Sequence, residues 1–175
     1  MDTDRDVSIS QPIRRVFRSL ADRAFDQTHL SDGDLLDYLS DLLAEFAHVD
    51  QLYPLRDESG RHVQYLIDMR ALPEGSSAGQ RKERFRYIGD YSLFILGMFP
   101  ESLNHARVPI PHSYYSETGR HSYLVASELE KRSERTVMFR KLADKFEHCV
   151  VSLNWVREYT RDPFYQYMLR EFRVT

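Results

Sequence analysis

Two sets of residues combine reactive side chains with a spacing that would bring them together. Glu45 and His48 stand at i, i+3, and Asp144 and His148 at i, i+4. Either spacing puts both side chains on one face of a helix. A carboxylate beside an imidazole on such a face is a pair of metal ligands. The second set is Asp90, Tyr114, Tyr115, His121 and Tyr123, with Arg86 one turn before Asp90 and Arg120 next to His121. Phenol and guanidinium donors around a carboxylate keep it ionised. Such a cluster can hold a small anionic or polar ligand, or simply be a satisfied structural network.

The ordered set Glu-x-x-His, a lone acid (Asp90, Glu101 or Glu117) and Asp-x-x-x-His resembles the ligand set of haem-oxygenase-like di-iron oxidases. The resemblance rests on five residues and implies a helical metalloenzyme with Glu45, His48, Glu101, Asp144 and His148 as ligands. Helix geometry points the other way. Glu45 and His48 fall opposite the leucine stripe of their segment, and Asp144 and His148 fall opposite Leu142 and Phe146. Metal ligands in a bundle must project inward. The expectation is therefore no stoichiometric metal and no cofactor. The sequence holds no Walker A loop, dinucleotide fingerprint, HExxH, CxxC or GxSxG. No catalytic residue can be assigned, and the balance leans away from an enzyme.

These residues are positioned by a chain that reads as helical throughout. Its organising stretch is YIGDYSLFILGMF, Tyr87–Phe99. Over 81–99, Phe85, Ile88, Ser92, Ile95, Leu96 and Phe99 share one face. From Leu93 onward every face is apolar, which marks a buried helix, and the run is too short to span a bilayer. Asp90 sits where the polar face becomes the buried one. It is expected to be mostly buried and bonded to Arg86, a tyrosine hydroxyl or another Arg. Gly89 and Gly97 each cost about 1 kcal/mol against Ala in a helix, which suggests close backbone approach, with Gly119 as the facing residue.

In chain order, 1–9 is expected to be disordered, with a helix starting near Ser10–Pro12. Its stripe is Ile13, Val16, Phe17, Leu20 and Ala24, and Arg14, Arg15, Arg18 and Arg23 form a solvated face. Ser31 is the expected cap of a second helix running to about Val49. Tyr53-Pro54 and DESG at 57–60 form a loop, His62–Leu72 a short helix, and PEGSSAG at 73–79 a linker. After the three prolines of 100–112, a helix over 113–131 places Tyr115, Gly119, Ser122, Ala126 and Leu129 together. The segment 133–160 is the longest predicted helix, with Cys149 a small core residue. Asp162-Pro163 opens a last helix, expected to cover Val151, Trp155 and Tyr159 through Phe164, Met168 and Phe172.

With 175 residues, a net charge of −3 and 42% hydrophobic residues, the chain is long enough for a real core. It shows no overall basic field for nucleic acid or anionic membranes. The single cysteine permits no internal disulfide, and MDTDRDVSIS lacks the basic start and apolar run of a signal peptide. The expected setting is the cytoplasm. The run RYIGDYSLFILGMFPESL followed by YY-x3-G-x3-Y resembles an uncharacterised family of bacterial all-helical proteins, a likeness confined to about residues 84–126 that implies no activity. The reading is an all-α fold, one domain over 10–175, with six or seven helices around a buried central helix. Its expected role is that of a non-enzymatic interaction or adaptor protein, with a protein partner or self-association.

Overall fold

The computed structural model describes residues 3–46, 75–104 and 110–163. All of their regular structure is helical, in six α-helices and one 3-10 turn. The helices are α1 (Thr3–Thr28), α2 (Gly33–Phe46), α3 (Ala78–Met98), α4 (His112–Leu129), α5 (Ser133–Asp144) and α6 (Phe146–Thr160), with the 3-10 turn at Pro100–Asn104. The all-α expectation holds. The loop at 53–60, the short helix at 62–72 and the helix after Pro163 lie outside the described residues, as does His48.

The packing groups the chain into two compact units, Met1–Tyr53 with Val151–Thr175, and Pro54–Val150, where the sequence suggests one domain. In the first unit α1 begins at Thr3, not near Ser10–Pro12, and carries Pro12 inside it. Its stripe is buried at Ile13, Phe17, Leu20 and Ala24, with Ala21 and Phe25 added, while Val16 is half-buried. The helix ends on His29 at φ 56°, with the amide of Leu30 donating to the Phe25 carbonyl at 3.0 Å. That is the left-handed cap usually given to glycine or asparagine.

The cap of α2 is Asp32 rather than Ser31, because its Oδ1 accepts from the amide of Leu35 at 3.2 Å. The exposed ridge of α2 is acidic at Asp34, Asp37, Asp41 and Glu45. Arg14 bonds Asp41 and Arg18 bonds Asp37, so two of the arginines predicted to be solvated tie α1 to α2. Exposed pairs of this kind are worth at most about 1 kcal/mol each. Arg23 lies over the Tyr159 ring at 4.4 Å, and Thr28 Oγ1 bonds Ser152 Oγ at 2.8 Å.

In the second unit α3 starts from a full capping box. The amide of Gln80 donates to Ser77 Oγ at 3.2 Å, and the amide of Ser77 donates to Gln80 Oε1 at 2.9 Å. Ile88 to Met98 are all buried. The helix packs chiefly on α4. The predicted helix over 133–160 is instead two helices broken at Lys145. The bonds from the Lys145 amide to Lys141 and from the Cys149 amide to Lys145, both 2.9 Å, bridge the break. It is a local change of backbone, at φ −104° and ψ 19°, and Phe146 immediately after it is buried against α4.

The glycines do not face each other. A methyl on Gly89 would lie 2.7 Å from the Tyr123 ring, and one on Gly119 would lie 2.5 Å from the Phe146 ring and 3.0 Å from Ser92 Cβ. Each glycine makes room for an aromatic ring. Both rings are fully buried, so neither can swing aside. Gly119→Ala should gain about 1 kcal/mol of helix propensity yet lose about 1–3 kcal/mol to overpacking. Urea unfolding should show net destabilisation, and a stabilised variant would mean that Phe146 relaxes freely.

Candidate functional site

Asp90 is 2% exposed, at the point on α3 where the buried stretch begins. Arg86 Nη1, one turn earlier, donates to Oδ2 at 2.8 Å. Tyr123 OH, reaching from α4, donates to Oδ1 at 2.7 Å. Each carboxylate oxygen thus has a strong donor, one of them cationic. The Tyr123 ring is stacked on Phe139 of α5 and tilted against Phe146 of α6. The carboxylate, the phenol and the aromatic core are therefore one construction.

Of the cluster predicted around Asp90, the structure brings together Arg86, Asp90 and Tyr123. Tyr115 is fully buried, but among the described residues its hydroxyl finds no hydrogen-bond partner. Burial first, and the neighbouring Tyr114 second, push its phenol well above the usual tyrosine range, so it stays neutral. Tyr114 packs edge-on against Tyr115 at 6.0 Å. His121 is exposed. Arg120 is also exposed, and its Nε donates to the Ala143 carbonyl at 3.3 Å. The last three residues sit apart from Asp90 because they fall on other faces of α4.

Sequence reasoning missed a second buried acid. The Glu130 side chain is 3% exposed at the turn between α4 and α5. Its Oε1 accepts from the amides of Lys131 at 2.9 Å and Arg132 at 3.1 Å. Its Oε2 meets Lys82 Nζ at 3.2 Å and Arg135 Nε at 3.6 Å. Burial alone would raise this carboxyl, but the Arg132 amide, the Lys82 ammonium and the Lys131 amide outweigh it and hold the group below the usual carboxylate range. Arg135 also approaches Glu83 at 3.9 Å, and Glu83 takes Arg86 Nε at 2.8 Å. The charges therefore alternate from Lys82 through Glu130, Arg135, Glu83 and Arg86 to Asp90, joining α3 to both ends of the α4–α5 turn. The signal available in sequence was the mixed charge of RKER, Arg81–Arg84, and EKRSER, Glu130–Arg135.

One further cluster invites a catalytic reading. Glu147 bonds Ser116 through one oxygen and His112, at 3.2 Å, through the other. The carboxylate stands between serine and histidine. Activating a serine needs the base in contact with the nucleophile, so this order is wrong for nucleophilic catalysis.

Glu45, Glu101, Glu117 and Asp144 are exposed, and His148 is half-buried. Among the described residues no three His, Cys, Asp or Glu side chains are placed to share a metal. Elemental analysis of purified protein should find less than about 0.1 metal per chain. One or two irons per chain, lost on His48→Ala, would overturn that expectation.

Two large apolar side chains of α6 remain outside, Val151 at 47% and Trp155 at 41% exposed. They are one turn apart, and Trp155 packs on Tyr159 with ring centroids at 6.0 Å. Among the described residues no helix is long and apolar enough to cross a membrane. Comparison with known proteins gives no match, whether to a protein-family model, a curated protein or a solved structure.

Proposed function

We propose that this chain is a non-enzymatic helical interaction protein of the cytoplasm, docking another protein or a second copy of itself through the Val151–Trp155 face of α6. The observation that carries the reading is the exposure of a tryptophan and a valine one turn apart, in a chain whose other described aromatic side chains are mostly buried. Tryptophan is enriched among the residues that dominate binding energy, and contiguous exposed apolar surface commonly marks an interface. The polar groups that could do chemistry support it from the other side. Asp90 and Glu130 are both engaged by basic groups and hydrogen bonds within the second unit.

Trp155→Ala should weaken association by about 2 kcal/mol or more, roughly a thirtyfold loss. Val151→Glu should leave folding stability within about ±0.5 kcal/mol while also weakening association. Sedimentation of the purified chain separates the two occupants. A dimer lost on Trp155→Ala identifies a second copy. A monomer that enters a larger complex only in extract from its source cells, with the same sensitivity, identifies a different protein. Association indifferent to both substitutions would overturn the proposal.

A further inference from the structure

We draw no further inference here: the strongest candidate, the exposed Val151–Trp155 face of α6, belongs to the surface already proposed, and nothing in the structure shows what covers it.

Discussion

Asp90→Ala should destabilise the protein by about 3 kcal/mol or more, because it removes a buried carboxylate that accepts from both Arg86 and Tyr123. Arg86 would keep Glu83 but lose its second carboxylate, with about three-quarters of its side chain still covered. Tyr123 OH would lose its acceptor inside a fully buried pocket. Asp90→Asn keeps the shape and one acceptor oxygen but removes the charge, and should cost less, about 2–3 kcal/mol. Tyr123→Phe removes a single bond and should cost about 1–2 kcal/mol. Urea unfolding of the three variants should preserve that order. Equal, near-zero effects would mean that Asp90 is not a structural keystone and would reopen its use for a ligand.

The second large effect is expected at Glu130. Its carboxyl is held below the ordinary value near 4.5 in the folded protein, so folding favours the ionised form. The stabilisation is fully present above the unfolded value and is lost as pH falls through the folded one. The groups facing it are the cations of Lys82 and Arg135 and the amides of Lys131 and Arg132, which donate to it. Protonation therefore weakens every contact together. Glu130→Gln should cost about 2–3 kcal/mol at pH 7, and the cost should shrink as the pH is lowered past 4. A difference between variant and wild type that stays constant from pH 7 to 3 would show that the carboxylate charge contributes nothing.

The fold class and the burial of α3 were legible because an apolar run with helical period leaves little choice. Asp90 was legible because it sits at the border between a polar and a buried face, with Arg86 one turn away. Tyr123 was named only as one of several tyrosines. Choosing it over Tyr114 and Tyr115 needs the register of α4 on α3, and that register is set by rings fitting against glycines. Small-residue stripes suggested glycine against glycine, but ring against glycine fills the same gap with more apolar contact. The capping box at Ser77–Gln80 was readable from its spacing and was hidden by the linker-like composition around it. Glu130 was missed for a different reason. Its partners lie at residues 82, 131, 132 and 135, and the Lys82 contact exists only once α3 and α4 are packed.

The central claim is that the polar groups of the second unit hold the fold and that the exposed face of α6 engages a protein. Photo-crosslinking tests it most directly. A benzophenone amino acid at position 151, and another at the equally exposed Val137 of α5, are irradiated in the source cells. The account predicts a discrete adduct from position 151 that disappears in the Trp155→Ala background, with little or none from position 137. No adduct from 151, or the same adducts from both positions, would contradict it.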